Sequence, residues 1–380
     1  MAGLYIHIPF CKRKCRYCDF VSSPDYKYED LYFIALIEEM RLYSALMQGR
    51  RFDTVFVGGG TPTSLKDGRL AAILNAARKF FSISEDAEIT VEANPESSEE
   101  KKLKELYDAG VNRISFGLQS ACSDELVAIG RLHSFEDFER AVGYAREIGF
   151  ENINADVMHG LPMQTVGTYL KNLETVSGLG IPHISSYSLI LEEGTPLYDD
   201  VISGKADLPD ADDVADMEDA GFDILGNKGY IRYEISNFAI PGFECRHNLN
   251  YWDNGEYLGL GLNSHSALHL SGEWVRFNNT ELMGEYIEKL GEGKLPVKNT
   301  EKIERREEMF ETVMLGLRKC SGVSRADFKK RFGVDPVTYY AAAIAQLQLD
   351  GMIEINENSM YLNKRGLDYQ NEALLKFMGQ

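Results

Sequence analysis

Three cysteines near the start of the chain, Cys11, Cys15 and Cys18, restrict the remainder more than any other feature. Their C-x-x-x-C-x-x-C spacing lets one loop fold back and bring three sulfurs together. Three thiolates hold three irons of a [4Fe–4S] cube. The fourth iron is then left without a protein sulfur and open to a small chelating ligand. Structural zinc takes four ligands at other spacings, and the nearest fourth candidate, His7, lies on the strand before the loop. A disulfide leaves one of the three cysteines over. The loop is therefore expected to carry an iron–sulfur cube. The other cysteines, Cys122, Cys245 and Cys320, are widely scattered, each by default a small buried apolar residue. Six cysteines in 380 residues are no disulfide framework, and a reduced, cytoplasmic setting is expected.

Length and charge narrow the classes further. A chain of 380 residues can bury a large core and hold two or three domains. No apolar run reaches the ~18 residues of a membrane span, and the N-terminus runs into the strand Leu4–Ile8 without the pattern of a signal peptide. Forty basic against 59 acidic residues give a net charge of −19. So acidic a surface repels nucleic acid and anionic membrane. The acidic run Asp210–Asp219 reads as the solvated face of a helix.

Strand and helix patterns alternate from the N-terminus. Strands are expected at Leu4–Ile8, Thr54–Val57, Glu88–Ala93, Asn112–Phe116, Asn152–Met158 and His183–Leu191. Helices are expected at Tyr28–Leu46, Leu70–Phe81, from Ser97 (as N-cap of a capping box with Glu100) to Asp108, from Ser134 to Gly149, and at Thr168–Gly178. Six βα units predict a parallel sheet with helices outside it, and right-handed crossovers curl it toward a partial (βα)6 barrel. A doubly wound open sheet is the alternative. Each strand ends in a polar or glycine-rich group: the cysteine loop, Gly58–Thr61, Glu92 with Asn94, Gln119, Asp156 with His159, and Tyr187 with Ser188. Strand C-termini build the active site in such folds, so these groups are expected to meet at one mouth.

The cysteine spacing resembles that of the radical SAM superfamily, whose fold is a partial barrel of this kind. The resemblance implies S-adenosylmethionine (SAM) on the open iron, with Gly59, Gly60 and Thr61 near its amino group. Tyr5 to Cys18, Gly58 to Thr63, Glu92, Gln119, Arg131 and Asp156 also follow the pattern of oxygen-independent coproporphyrinogen III oxidase and its relatives, which place two SAM molecules at the site. By matching position, Tyr5, Gly60 and Glu92 fall to the SAM on the cluster, and Tyr17, Thr61, Gln119, Arg131 and Asp156 to the second. One departure separates two groups of relatives. The oxidase has a fourth cysteine two residues after the third, where this chain has Asp19-Phe20. His247-Asn248-Leu249-Asn250-Tyr251-Trp252 instead resembles the H-N-x-x-Y-W signature of the HemW-type haem chaperones.

This resemblance implies haem as a ligand, haem-accepting proteins as partners and a reductant such as ferredoxin or flavodoxin. Cys245 and His247 are chemically suited to haem iron, with packing beneath the mouth as the structural alternative. Two function classes follow: a haem chaperone using a SAM-bound cluster, or a coproporphyrinogen oxidase of porphyrin biosynthesis using a SAM-derived radical. Three segments are expected: a barrel over 1–230, an extension over 231–300 carrying the H-N-x-x-Y-W run, and a winged-helix-like α+β module over 301–380. The module carries 12 basic and 12 acidic residues. That balance offers no basic stripe for DNA and favours a docking or lid role.

Overall fold

The computed structural model describes residues 1–378. Six parallel strands form the frame: β1 (Ala2–Ile8), β2 (Arg51–Gly59), β3 (Ser82–Ala93), β4 (Arg113–Gln119), β5 (Asn152–His159) and β6 (His183–Ser188). They lie side by side in chain order. Every crossover therefore steps the same way, and the strand-order reversal of a doubly wound sheet is absent from these six. Helices Glu29–Leu46, Arg69–Phe80, Glu100–Asp108, Phe135–Ile148 and Val166–Gly178 connect them, and Ala211–Asn227 follows β6. The result is the expected partial barrel.

Period-two alternation assigns each strand residue a side. Outward residues such as Leu4, Ile6, Val55, Val57, Val91, Ile114, Phe116, Ile153, Val157 and Ile184 are buried in one large apolar core beneath the helices. The inward phase is polar along much of its length: Thr54 on β2, Glu88 and Glu92 on β3, Arg113 and Ser115 on β4, Asn154 and Asp156 on β5, His183 and Ser185 on β6.

The sheet is wider than the six units. Strand β7 (Ile231–Arg232) and β8 (Asn237–Ala239) run antiparallel from the β6 edge. On the other edge β9 (Glu256–Leu260) pairs in parallel with β1, followed by an antiparallel meander of β10 (His265–Leu270), β11 (Glu273–Asn279) and β12 (Val297–Ile303). Residues 231–300 thus supply strands to both edges, and β12 runs past residue 300.

Two local expectations are corrected. Ser97 does not cap a helix: it ends a single 3-10 turn, Pro95–Ser97, where its hydroxyl is 2.6 Å from that of Thr63, and the helix begins at Glu100 after Glu99. Pro95 opens the turn and Ser97 is drawn into a buried bond instead. Strand β6 ends at Ser188 rather than Leu191. Ser134 does start its helix, in a reciprocal capping box with Asp137, and Gly149 ends it in the left-handed conformation.

The C-terminal module has its own core, including Val313, Phe328, Tyr340, Leu347, Met360 and Phe377. It packs helices Arg305–Gly316, Arg325–Phe332 and Ala341–Leu349 against a small sheet of β13 (Val323–Ser324), β14 (Ile353–Ile355) and β15 (Ser359–Leu362), the expected α+β arrangement. The helical stretch from Pro336 to Leu349 is divided at Tyr340, after a turn that Asp335 caps on the Val337 N–H at 2.9 Å. Among the described residues no helix is long and apolar enough to cross a membrane.

Candidate functional site

The cysteine loop leaves β1 and is tied down at several points. Ser23 N–H donates to the Pro9 carbonyl at 2.9 Å, and Cys11 N–H to that of Ser23 at 3.2 Å. His7 Nε2 lies 2.9 Å from the Val21 carbonyl, and Arg16 N–H donates to Ile129 O at 3.0 Å. Cys11, Cys15 and Cys18 are free thiols. Burial pushes the Cys11 and Cys18 thiols up, while Lys14 opposes this at both. Among the described residues no three His, Cys, Asp or Glu side chains gather tightly enough around a single metal ion. A cube with a thiolate on each of three corners spreads its sulfurs wider than a mononuclear site, so this donor set fits the cluster better than zinc.

Behind the loop, at the strand C-termini, lies a cavity of about 600 Å³, within the usual range of small-molecule sites. Tyr17, Cys18, Gly59, Gly60, Glu92, Gln119, Arg131 and Asp156 line it, together with Asn94, Tyr187 and Ser188. Most of the residues singled out from the sequence therefore meet at one place. Tyr5 and Thr61 stand just behind: the Tyr5 hydroxyl is 3.0 Å from His7 Nδ1, and Thr61 Oγ1 accepts from Asn94 Nδ2 at 3.0 Å. His159 instead faces the helical layer, its ring 5.4 Å from that of Tyr169, and burial holds its pKa down to about 4.

Close approach explains the glycines. Gly59 has φ +111°, and a side chain there would run into the His7 ring. At Gly60 it would run into the carbonyls of Phe10 and Ile8. The Gly59 N–H donates to Glu92 Oε2 at 3.0 Å. Burial, then the charge of Asp156, pushes Glu92 up to about 7, and burial also raises Asp156. These two inward carboxyls favour a cationic ligand that would let both ionise.

Arg131 knits the mouth together. Its guanidinium donates to Asn94 Oδ1 at 2.8 Å and to the Gly117 carbonyl, and approaches Cys15 Sγ at 3.4 Å. Gln119 ends β4 at φ +74°, a left-handed conformation rare outside glycine, beside a register shift at Gly117. That irregularity turns its side chain to accept from Tyr187 OH at 2.9 Å. Lining residues that the sequence reading did not single out include Ser115, Met158, Ser185, Ile190, Glu192, Ser236 and Asn237. The inward phase of β4, β5 and β6 would have indicated Ser115, Met158 and Ser185. Ile190 and the residues after it carry no such signal.

Polar residues also gather at the opposite, N-terminal end of the barrel. Helix Arg246–Trp252 closes this floor. Glu88 accepts the backbone N–H groups of Arg246 at 2.9 Å and His247 at 3.0 Å, and Cys245 Sγ lies 3.5 Å away. The His247 ring stacks on Phe56 at 5.2 Å, with Nδ1 2.8 Å from Thr54 Oγ1 and Nε2 3.0 Å from Tyr251 OH. Burial lowers His247 to about 3 and raises Cys245 to about 12. Both side chains are buried and neither lines the cavity, so the structure gives them packing and hydrogen-bonding partners rather than the open position an axial haem ligand needs.

Comparison with known proteins agrees with this architecture. Residues 5–176 match the radical SAM superfamily, and residues 303–369 match the HemN C-terminal domain. The chain is 37% identical over 386 residues to the heme chaperone HemW of Bacillus subtilis, covering 100% of both proteins. It is 36% identical over 335 residues to the heme chaperone HemW of Escherichia coli, covering 86% of this chain and 85% of that protein. Among solved structures, the radical SAM enzyme coproporphyrinogen III oxidase (HemN) from Escherichia coli shares the fold, with a TM-score of 0.85 and 23% identity over 100% of this chain and 90% of that one. Full-length similarity to the HemW proteins, joined to a three-cysteine loop at the mouth of a partial barrel, places the chain in the HemW family of the radical SAM superfamily.

Proposed function

We propose that this protein is a haem chaperone that holds a SAM-liganded [4Fe–4S] cluster at the barrel mouth and passes haem to haem-dependent proteins. The observation that carries the reading is the full-length likeness to proteins named heme chaperone HemW. Asp19-Phe20 supports it, because the loop offers no fourth cysteine there. Cys11, Cys15 and Cys18 would hold the cluster. Glu92, with Gly59 and Gly60, is suited to an ammonium group. Arg131 and Gln119 offer donors to a carboxylate or ribose oxygen. Asp156 supplies a second acceptor, and by matching position Tyr5 would fall to the SAM on the cluster and Tyr17 and Thr61 to a second SAM. When bound, the cluster and SAM supply one-electron chemistry.

The residues of the mouth would fix the ligand's orientation. Arg131 joins the loop to β4 and the strand next to it, so a ligand touching Asn94 or Gly117 is coupled to Cys15. A reductant such as ferredoxin or flavodoxin is the expected electron source. The test reconstitutes the protein anaerobically and offers haem, or coproporphyrinogen III with SAM and dithionite. A stable Soret band without protoporphyrinogen is the expected result. Turnover to protoporphyrinogen would make the protein an oxidase of porphyrin biosynthesis instead.

A further inference from the structure

Asp156 lines the cavity, but the groups that hold its carboxylate lie behind it. Asn154, two residues earlier on the inward phase of β5, donates from Nδ2 to Asp156 Oδ1 at 2.8 Å and to Ser115 Oγ at 2.7 Å. Its Oδ1 is 2.6 Å from His183 Nδ1 and accepts from Ser185 Oγ at 3.1 Å. A side-chain amide offers two donor and two acceptor positions, and Asn154 uses them all. The amide cannot turn without breaking bonds. His183 opens β6 as the register partner of Asn154. Its Nε2 is 2.8 Å from Tyr233 OH, and that oxygen accepts the backbone N–H of Cys245 at 3.1 Å. Asn154, His183 and Cys245 are buried, and neither Asn154, His183 nor Tyr233 lines the cavity.

These bonds run one way. A carboxylate only accepts, so the Asn154 amide nitrogen faces Asp156 and its oxygen faces His183. Two bare acceptors 2.6 Å apart would repel, so His183 carries its proton on Nδ1. Burial keeps the ring neutral. Nε2 is then an acceptor, Tyr233 donates its hydroxyl proton to it, and the Tyr233 oxygen is left to take the Cys245 N–H. From Cys245 through Tyr233, His183 and Asn154, every donor points toward Asp156. Such a chain polarises along its length and favours negative charge at its end. Arg113 and Arg131 also favour the charged form of Asp156, by charge rather than by a directed bond. A network that only filled the space beneath the cavity would need no common direction.

We propose that His183 and Tyr233 are positioning residues: through Asn154 they fix the Asp156 carboxylate as an oriented acceptor for hydroxyl or ammonium groups of the ligand in the cavity. This rests on the SAM reading above, in which Asp156 falls to the second SAM. The relay begins at the residue that precedes helix Arg246–Trp252. The H-N-x-x-Y-W segment at the floor therefore anchors a binding group at the mouth.

The test titrates SAM calorimetrically into the anaerobically reconstituted full-length chain. Asp156→Ala is expected to weaken the second SAM by about tenfold or more. His183→Leu is expected to weaken it about tenfold, and Tyr233→Phe, which removes a single hydroxyl and keeps the ring, about threefold. His183→Asn, whose amide can return an N–H near the place of Nδ1, is expected to bind as the wild type does. Made in the Asp156→Ala chain, Tyr233→Phe and His183→Leu should cost nothing more, because their route to the ligand is gone. Nitrogen NMR of the histidines, with His183 assigned by its loss in His183→Asn, should show the Nδ1–H tautomer. Tyr233→Phe keeps the test decisive if His183→Leu does not fold. Additive losses in the Asp156→Ala chain, wild-type affinity in Tyr233→Phe, or an Nε2–H tautomer would overturn the relay while leaving Asp156 as a ligand residue. Wild-type affinity in Asp156→Ala would instead overturn the assignment of Asp156 to SAM, and the relay's role with it.

Discussion

On strand β3, Glu88 and Glu92 point the same way into the barrel, four residues apart. Glu88, at the floor, accepts two backbone N–H groups from helix Arg246–Trp252 and faces the guanidinium of Arg113. Glu92, at the mouth, accepts one from Gly59 and is pushed up by burial and by Asp156. Similar residue types thus do opposite work at the two ends. At the floor, Glu88 spends its acceptors on closing the barrel, although Arg113 Nε and Trp252 Nε1 there have no partner. At the mouth, Glu92 accepts a single N–H and Arg131 Nε is without a partner, which leaves capacity for a ligand beside an open cavity.

The largest expected difference is between the two carboxyls. Glu88→Ala removes the acceptor for two N–H groups and a counter-charge for Arg113, and is expected to cost about 4 kcal/mol in urea unfolding. Glu92→Gln is expected to change stability by less than ~1 kcal/mol at pH 4, where the wild-type carboxyl is protonated in both states and the amide mimics it. Equal losses would break the comparison.

His247→Ala comes next. It empties a stacked, twice hydrogen-bonded site and is expected to cost about 3 kcal/mol. Bound haem should keep its Soret maximum. A shifted Soret band with unchanged stability would mean that His247 serves the ligand rather than the floor.

The smallest effect depends on pH. Glu92 has a folded-state pKa of about 7 against 4.5 for the ordinary carboxyl. A raised pKa stabilises the fold fully below pH 4.5 and progressively less as pH rises through 7. Relative to Glu92→Gln, the wild-type chain should therefore lose about 2 kcal/mol between pH 4.5 and pH 6.5 in the ligand-free state. Glu39, also buried and raised to about 7, titrates in the same window. It is present in both chains and cancels in the difference. A flat difference would show Glu92 to be already ionised.

Much of the mouth was legible in the sequence, because its signals are local. Cysteine spacing, a glycine run after a strand and a polar residue at each strand end can be read without knowing what lies across the barrel. The floor was not legible in the same way. Arg113 starts β4 and Glu88 lies midway along β3, and their partner helix lies far along the chain at Arg246–Trp252, so only tertiary contact reveals that they are occupied. The same distance hid the parallel pairing of β9 with β1, which joins residues about 250 apart in sequence. At Ser97 a local capping pattern was present, but the Thr63 hydroxyl competed for the side chain and prevailed.

The most direct test compares both ends in one experiment: the electron paramagnetic resonance spectrum of the anaerobically reconstituted and reduced protein, with and without SAM. The account predicts a [4Fe–4S] signal that SAM perturbs, that persists in Cys245→Ala and that disappears in Cys15→Ala. A cluster signal that survives Cys15→Ala, or one that is lost in Cys245→Ala while the fold is retained, would contradict it.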